Sequence, residues 1–184
     1  MRKFRKNVAV FLDRDGTLIE DKGYISSPEQ VEFIPKSIDA LKLLKSCGFK
    51  LIVITNQSGI ARKYLNIKQL KAIHERINSI LALNKIKLDA IYFCPHHPDE
   101  KCLCRKPNIK LALKAAKRFN LDLKKCFSVG DKITDVIFGK KFGGKGILVL
   151  TGFGKKEKLR PRPNYIAKDF YSAAEWIVKH AKKI

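Results

Sequence analysis

Two carboxylates, Asp13 and Asp15, stand two residues apart just after an apolar run at residues 8–12. The run predicts a short buried strand, which places Asp13 at the carboxyl end of that strand, where open α/β sheets collect their ligands. A carboxylate there can attack a phosphorus atom when a metal ion offsets the negative charge of the phosphate. Asp13 is therefore the predicted nucleophile of a phosphoryl transfer that passes through an aspartyl-phosphate intermediate.

The second carboxylate suits proton transfer in the same reaction. Gly16 lets the chain turn away from the strand, so that Asp15 can return over the phosphate that Asp13 attacks. The leaving oxygen needs a proton as its bond breaks, and we predict that Asp15 supplies it as the general acid and later acts as the base. The alternative is a solvated acidic turn at the end of a strand.

Three further polar strings suit this chemistry. Residues 51–54 form a second apolar run that leads into TNQSG at 55–59, and residues 126–129 form a third that leads into GDKITD at 130–135. An RKP string lies between them at 105–107. Each string alone has an ordinary turn or helix-start composition, but their order along the chain favours one shared site over coincidence.

Together these strings resemble the four motifs of the haloacid dehalogenase superfamily. The resemblance implies that the Thr55 hydroxyl binds a phosphoryl oxygen, and that Lys106 stabilises both Asp13 and the transferring phosphoryl group. It also implies a catalytic Mg²⁺ ion held by acidic residues, for which we expect Asp13, Asp15 and Asp131.

A second dense group of reactive side chains lies at residues 94–104, which hold three of the five cysteines and two of the four histidines. Thiolates and imidazoles are ligands of tetrahedral zinc, and two ligand pairs separated by a short gap let one loop close around the ion. A shell of four protein ligands has no open position for water, so we expect a structural Zn²⁺ ion. The competing interpretation is a set of reduced, buried cysteines. The predicted ligands are Cys94, His96, Cys102 and Cys104, with His97 as the alternative to His96.

The cysteine loop also bears on the phosphate site. Cys104 is followed directly by Arg105 and Lys106, so a zinc ion that fixes the cysteine would fix where two phosphate-binding cations enter the site. The two other cysteines, Cys47 and Cys126, fall in a predicted helix and a predicted strand, and we interpret both as small core residues.

The zinc loop narrows the resemblance within the superfamily. DRDGTL, TNQSG and a C-x-H string followed by C-x-C-RKP resemble the group of histidinol-phosphate and heptose-bisphosphate phosphatases over nearly the whole chain. The strings at 21–24, 28–33 and 56–62 are more similar to the D-glycero-D-manno-heptose-1,7-bisphosphate 7-phosphatases. That resemblance implies removal of the C7 phosphate of the sugar. The gap between His96 and Cys102 is closer to the histidinol type, so histidinol phosphate is the alternative substrate.

The same resemblance implies a set of substrate contacts. Arg105 would hold the phosphate that is kept, and Lys132 would touch the substrate. The implied substrate-binding residues are Asp21, Lys22, Gly23, Tyr24, Thr55, Asn56, Gln57, Ser58, Arg105, Lys106 and Lys132.

Helices alternate with the strand-like runs. Helices are predicted at 36–47, 67–83, 108–119, 133–142 and 172–183, the last with a capping pair formed by Ser172 and Glu175, and a further strand is predicted at 146–150. This alternation predicts an α/β fold, a doubly wound, Rossmann-like parallel sheet with the four strings gathered at the carboxyl ends of its strands. Residues 152–163, basic and broken by prolines, are predicted to form a surface loop.

Length and composition predict one cytoplasmic domain. At 184 residues the chain suits a single phosphatase domain over 1–184, with the zinc loop inserted and no large cap domain. We find no pattern of a secretory signal or a membrane span, and metal-binding thiols favour a reducing compartment. We expect a monomer whose partner is a small phosphorylated sugar.

The formal net charge of +22 is large enough to attract nucleic acid. The alternative from another functional class is therefore a basic, zinc-bearing protein that binds nucleic acid. The cations are mostly lysines spread along the chain, without the interleaved aromatics or arginine clusters that nucleic-acid recognition uses. A solvated lysine-rich surface and no nucleic-acid partner are therefore the prediction. Such a surface would also attract a doubly phosphorylated sugar.

Overall fold

Short apolar runs form the strands of the protein and pair side by side into a parallel sheet. The computed structural model describes residues 7–181. The six strands lie in the order β3-β2-β1-β4-β5-β6. They are β1 (Ala9–Leu12), β2 (Lys50–Asn56), β3 (Ala90–Cys94), β4 (Phe127–Gly130), β5 (Lys145–Val149) and β6 (Tyr165–Ala167).

Within the described residues, five α-helices connect or follow the strands. They are α1 (Ser37–Ser46), α2 (Ile67–Leu83), α3 (Lys110–Phe119), α4 (Ile133–Lys141) and α5 (Phe170–Ala181). The Asn66 side chain caps α2 by accepting a hydrogen bond from the Gln69 N–H at 2.9 Å. None of the helices within residues 7–181 has both the length and the apolar character that crossing a membrane requires.

The central strand shows how the sheet separates two cores. Along β1, Val10 and Leu12 join a large apolar cluster with residues of α1, α2 and α5. The alternate residues, Ala9 and Phe11, pack on the other face with residues of α3 and α4. Since neighbouring side chains of a strand point to opposite faces, β1 is buried on both sides, as in other parallel sheets covered by helices.

The chain order makes β1 the switch point of the sheet. From β1 the chain runs outward through β2 and β3, and it then returns to pair β4 on the other side of β1. Ligands of open α/β sheets bind in the crevice beyond the carboxyl ends of the strands at such a point. The predicted fold, a doubly wound parallel sheet without a large cap, is confirmed, and the predicted element boundaries that fall within residues 7–181 agree within two residues.

Two strands and one helix start differ from the sequence-based expectation. The sequence does not predict β3, which ends at Cys94, the first residue of the cysteine loop, or β6, which has three residues at the sheet edge. Helix α5 begins at Phe170, because Asp169 accepts a hydrogen bond from the Ser172 N–H at 2.7 Å. The capping pair Ser172 and Glu175 was therefore wrong, and the predicted helix end at 183 lies outside the described residues.

The basic segment 152–163 is mostly exposed, as expected of a surface loop, although it includes a short 3-10 turn at Gly154–Lys156. Its start is tied to the strand ends: the Thr151 hydroxyl donates to the Gly16 carbonyl at 2.6 Å, and the Phe153 N–H donates to Asp131 Oδ2 at 2.8 Å.

Candidate active site

Three neighbouring strands bring polar side chains to one edge of the sheet. Asp13 follows β1, and its N–H donates to the Val129 carbonyl at 2.9 Å, which continues the pairing between β1 and β4 up to this residue. Thr55 lies near the end of β2, and Asp131 follows β4. All three side chains are buried, so the strand register fixes where they meet.

Lys106 reaches the strand ends from the segment after the cysteine loop. The Asn56 side chain fixes its main chain at two points, accepting from the Lys106 N–H at 3.0 Å and donating to the Lys106 carbonyl at 3.2 Å. The ammonium group then lies 2.6 Å from Asp13 Oδ1 and 2.6 Å from Asp135 Oδ1. Burial by itself lowers the pKa of this amine, but the two carboxylates raise it above its ordinary value. Lys106 is therefore a fixed positive charge.

Three buried carboxylates, Asp13, Asp131 and Asp135, form an acidic group in which one oxygen of each lies within 4.8 Å of the others. Burial, with the charge of Asp13 added, raises the pKa of Asp131 to about 7, and burial also raises the pKa of Asp135. Asp131 Oδ1 is buried without a hydrogen-bond partner among the described residues. Lys106 pairs with only two of the three carboxylates, Asp13 and Asp135, and one oxygen of the third is unpartnered, so this donor set suits a hard divalent cation such as Mg²⁺.

Glycines make the space that these carboxylates occupy. A Cβ atom on Gly16, where φ is +74°, would lie 2.3 Å from Asp131 Oδ2, and one on Gly152 would lie equally close. A Cβ atom on Gly130 would lie 2.2 Å from the carboxyl carbon of Asp135. Any larger residue at these positions would displace a carboxylate of the acidic group.

Asp15 takes a different position from the one expected of a metal ligand. Its Oδ1 lies 2.9 Å from Arg14 Nη2, and its Oδ2 accepts a hydrogen bond from Gln57 Nε2 at 2.9 Å. Among the described residues, Asp135 rather than Asp15 completes the acidic group. Burial raises the pKa of Asp15 although the charge of Arg14 opposes this, and a carboxyl group with a raised pKa suits proton transfer.

A pocket of about 410 Å³ opens over the strand ends. Two predicted site residues are absent from its lining: Asp131 is fully buried, and Lys22 forms an ion pair with Glu32 at 2.7 Å. The predicted residues that line it are Asp13, Asp15, Asp21, Gly23, Tyr24, Thr55, Asn56, Gln57, Ser58, Arg105, Lys106 and Lys132. Thr134, Asp135, Phe153 and Glu157 line it as well.

The outer part of the pocket carries both cations and aromatic rings. Lys132 Nζ lies 3.3 Å from Asp21 Oδ2 and 4.6 Å from the centre of the Phe153 ring. Arg105 Nη1 is buried without a hydrogen-bond partner among the described residues. A buried donor of this kind costs free energy when it stays unpaired, so it favours an anion at this end of the pocket.

The cysteine loop gathers its predicted ligands at one point. One ligand atom from each of four residues lies within 4.8 Å of the others. The Sγ atoms are 3.1 to 3.7 Å apart, and a tetrahedral site with Zn–S bonds of about 2.3 Å has edges of roughly 3.8 Å. The residues present therefore fit a zinc ion. The four residues are Cys94, His96, Cys102 and Cys104.

The alternative ligand His97 is occupied elsewhere. Its Nδ1 accepts from the Asp99 N–H at 3.4 Å and lies 3.1 Å from Asp99 Oδ2. Cys47 and Cys126 are buried in the two apolar cores, as predicted, and Cys126 Sγ accepts a hydrogen bond from the Ala9 N–H at 3.3 Å.

Sequence reasoning missed three contributors to the site. Asp135 lies in the GDKITD string, where the sequence favours Asp131 as the ligand and Asp135 as a residue of the first helical turn. Arg14 and His74 are buried partners of the Asp15 network. His74 lies on the apolar stripe of α2 with Leu70 and Ile77, which indicates its burial but not its contact with Arg14, and no local pattern marks Arg14.

Comparisons with known proteins identify the family of this chain. The HAD-hydrolase-like family model matches residues 103–173. A D-glycero-beta-D-manno-heptose-1,7-bisphosphate 7-phosphatase of Pasteurella multocida is 43% identical over 165 residues, which cover 86% of this chain and 90% of that protein. A D-glycero-D-manno-heptose-1,7-bisphosphate 7-phosphatase of Thermosynechococcus vestitus is 39% identical and covers 94% of this chain and 96% of that protein.

A solved structure of a heptose-bisphosphate phosphatase is also similar to this chain. The D,D-heptose 1,7-bisphosphate phosphatase of B. bronchiseptica, complexed with magnesium and phosphate, superposes with a TM-score of 0.87 at 32% identity. The match covers 95% of this chain and 99% of that one. Since sequence and fold are shared over nearly the full length, the chain belongs to the heptose-bisphosphate phosphatase family of the haloacid dehalogenase superfamily.

Proposed function

We propose that this protein is a magnesium-dependent phosphatase that removes the C7 phosphate of D-glycero-D-manno-heptose 1,7-bisphosphate through an intermediate on Asp13. The observation that carries the proposal is the meeting of Asp13, Lys106 and Asp131 beside one pocket, in a chain whose relatives bear the name of this enzyme. Those names also favour this function over histidinol-phosphate hydrolysis and over a basic nucleic-acid-binding protein. A pocket of about 410 Å³ has room for a small sugar phosphate.

The first step transfers the phosphoryl group to the protein. An oxygen of Asp13 bonds to phosphorus, the bond between phosphorus and the C7 oxygen breaks, and Asp15 gives its proton to that oxygen. The raised pKa of Asp15 favours the protonated form that this step needs. Lys106 and the Thr55 hydroxyl stabilise the negative charge that develops on the transferring group.

The second step releases phosphate and restores the enzyme. Asp15, now a carboxylate, accepts a proton from a water molecule whose oxygen bonds to phosphorus, and the bond to Asp13 breaks. Phosphate then leaves. Asp15 is protonated again, as it was at the start, so no proton is gained or lost by the protein over the cycle.

Asp13, Asp131 and Asp135 are the carboxylates that would hold magnesium. The bound ion would supply the positive charge that lets an anionic carboxylate approach a phosphate group. The unpartnered Asp131 oxygen and the magnesium in the B. bronchiseptica enzyme support this assignment. We assign the Asp15 side chain to proton transfer, because Arg14 and Gln57 already bind its two oxygens.

We propose a structural zinc ion at Cys94, His96, Cys102 and Cys104. Its role follows from the chain order, since Cys104 precedes Arg105 and Lys106 directly. Fixing the loop would hold the Lys106 ammonium against Asp13 and leave the Arg105 guanidinium ready for an anion.

The outer residues of the pocket would bind the rest of the sugar bisphosphate. We assign the retained phosphate at C1 to Arg105, which is supported by its buried, unpartnered Nη1. Lys132, Asp21 and the segment around Tyr24 would contact the sugar, which is supported by their place in the pocket lining.

The test compares turnover of both anomers of the heptose bisphosphate, fructose 1,6-bisphosphate and histidinol phosphate on one preparation. We expect magnesium-dependent phosphate release that is fastest with a heptose bisphosphate. Asp13→Asn should abolish this release without changing the circular dichroism spectrum. Faster turnover of histidinol phosphate, or turnover by Asp13→Asn, would contradict the proposal.

We also propose that the protein works in the reducing cytoplasm. Its five cysteines are all free of disulfides, which supports such a compartment. The monomeric state stays a prediction, which light scattering can check.

A further inference from the structure

A buried guanidinium group lies behind the proposed acid and base. Arg14 stands between Asp13 and Asp15 in the sequence, yet its side chain is only 2% exposed and is among the largest fully buried side chains in residues 7–181. A buried arginine cannot lose its charge, so it needs acceptors all around its planar fork. Three different side chains provide them.

The first acceptor is the Asp15 carboxylate. Arg14 Nε lies 3.0 Å from Oδ1 and 3.1 Å from Oδ2, and Nη2 lies 2.9 Å from Oδ1. Contact through two nitrogens fixes the plane of the carboxylate as well as its position. A lysine at this position would offer a point charge without that plane.

The second acceptor is the Gln57 amide. Arg14 Nη2 donates to Gln57 Oε1 at 3.1 Å, so the amide nitrogen must face the other way. That nitrogen donates to Asp15 Oδ2 at 2.9 Å and to Thr55 Oγ1 at 2.8 Å. Arg14 therefore sets the orientation of an amide that connects the proposed acid to the proposed phosphate-binding hydroxyl.

The third acceptor is His74, which is buried on α2. Its Nε2 lies 3.5 Å from Arg14 Nη1, and its ring packs edge-on against Phe93 at 6.1 Å between centres. Burial and the charge of Arg14 lower the pKa of His74 to about 3, so the imidazole is neutral at neutral pH. Since an arginine can only donate, the neutral ring presents Nε2 as an acceptor.

We propose that Arg14 is a positioning residue that holds the Asp15 carboxyl group for proton transfer, and that His74 holds Arg14 in place. The inference rests on the proposed role of Asp15 as the general acid and base. Arg14 does not line the pocket; its effect on the reaction passes to Asp15, directly and through the Gln57 amide.

A double-mutant cycle tests this route. Arg14→Met should lower kcat for the heptose bisphosphate by about 100-fold, the lower end of what a positioned acid contributes, with KM changed by less than about twofold. In an Asp15→Asn background the same change should lower kcat by no more than about twofold, because the group that Arg14 positions is already disabled. Arg14→Lys should recover only part of the loss.

Two results would overturn the inference. One is a kcat for Arg14→Met close to that of the wild type. The other is a double variant whose fold-loss of kcat equals the product of the losses in Arg14→Met and Asp15→Asn. These results differ from failure of the proposed function itself. That failure would appear as no phosphate release by the wild type, or as undiminished release by Asp13→Asn.

A second pair of variants covers the case in which Arg14→Met does not fold. His74→Gln keeps an acceptor near Arg14 Nη1 and should keep kcat within about threefold, whereas His74→Leu removes the acceptor and should lower kcat by about tenfold. Ile77→Ala, a buried change on the same face of α2, is the matched control for lost stability and should leave kcat unchanged. Equal kcat values for His74→Leu and His74→Gln would overturn the proposal.

Discussion

At the scale of single residues, the site is a balance of buried charges. Lys106 is held between Asp13 and Asp135, and Asp131 keeps one oxygen without a partner among the described residues. Burying carboxylates without enough positive charge costs free energy, so the magnesium-free protein is less stable than the same fold would be with the charges neutralised. The acidic group, our proposed metal site, is therefore maintained at the expense of stability.

This cost predicts a pH dependence of folding. Burial raises the pKa of Asp131 from 3.8 to about 7, so the folded protein holds a proton that the unfolded chain has lost. Without magnesium, this group makes stability fall as pH rises from 3.8 to about 7, with no further loss above that range. Thermal unfolding of the wild type and Asp131→Asn between these pH values measures the effect. The variant should show the smaller slope.

Added magnesium supplies the control for that measurement. An ion that binds only the folded state should raise the unfolding temperature of the wild type at neutral pH and leave Asp131→Asn nearly unchanged. Equal slopes for the two proteins without magnesium would contradict the charge assignment.

The sequence predicts only some of these residues, and the reason is physical. Asp13 and Thr55 stand where an apolar run ends, and a local pattern is enough to place them at a strand end. Asp131 and Lys106 were identified through their motifs. Arg14 was missed because its burial depends on α2, which is distant in the sequence. Asp15 was expected in the metal site through the same resemblance, whereas its side chain pairs with its neighbour Arg14.

At the scale of elements, two features hold the segment of Lys106 in place. Asn56 of β2 binds the main chain of Lys106 on one side, and the cysteine group closes the loop before it on the other. The segment lacks regular secondary structure of its own at this point, so these side chains replace the hydrogen bonds that a strand or helix would provide.

We therefore expect the cysteine loop to control activity from a distance. The purified protein should contain one zinc ion per chain by elemental analysis. Cys102→Ala should lose the zinc and lower kcat by up to about 100-fold, because a small displacement of Lys106 misplaces its charge. Cys47→Ala, a change to a buried cysteine on the far side of the fold, is the matched control and should retain the zinc. Full activity of zinc-free protein would contradict this role.

The start of α5 offers a test of a structural correction. Asp169→Ala should lower the free energy of unfolding by about 1 kcal/mol, because it removes the acceptor of the Ser172 N–H. Ser172→Ala should change it much less, since in the structure Ser172 lies inside the first turn rather than at the cap. Urea unfolding of the two variants compares them directly. A larger loss of unfolding free energy in Ser172→Ala than in Asp169→Ala would support Ser172 as the cap residue.

The elements show where sequence patterns are sufficient. The helix at 67–83 was predicted with its correct boundaries, because Asn66 caps it and its apolar residues repeat at helical spacing. Strands β3 and β6 were missed for different reasons. The apolar run of β3 ends in Cys94, which the sequence analysis assigned to the zinc loop, and β6 has only three residues. Their positions depend on the strands beside them.

At the scale of the whole molecule, the net charge of +22 is expected to act on the substrate before it binds. Raising ionic strength from about 0.01 M to about 0.15 M shortens the screening length from about 30 Å to about 8 Å. We expect kcat/KM for the heptose bisphosphate to fall several-fold over this range while kcat changes little. Steady-state kinetics at each salt concentration measures both constants.

Para-nitrophenyl phosphate provides the comparison, since it carries one phosphate group instead of two. Its kcat/KM should fall less steeply with salt, because the attraction scales with the charge of the ligand. Equal salt dependence for the two substrates would show that the positive surface does not steer the bisphosphate.

The position of β1 in the middle of the sheet has a consequence for synthesis of the protein. Its partner β2 begins at Lys50, but its other partner β4 begins only at Phe127. While the ribosome makes the first hundred or so residues, a half-sheet of three strands can form with one flank of β1 open. At that stage the acidic group is incomplete, because Asp131 lies in the last third of the chain and has not yet been made. A nascent chain is thus expected to acquire magnesium affinity late, in one step, when the second half of the sheet docks.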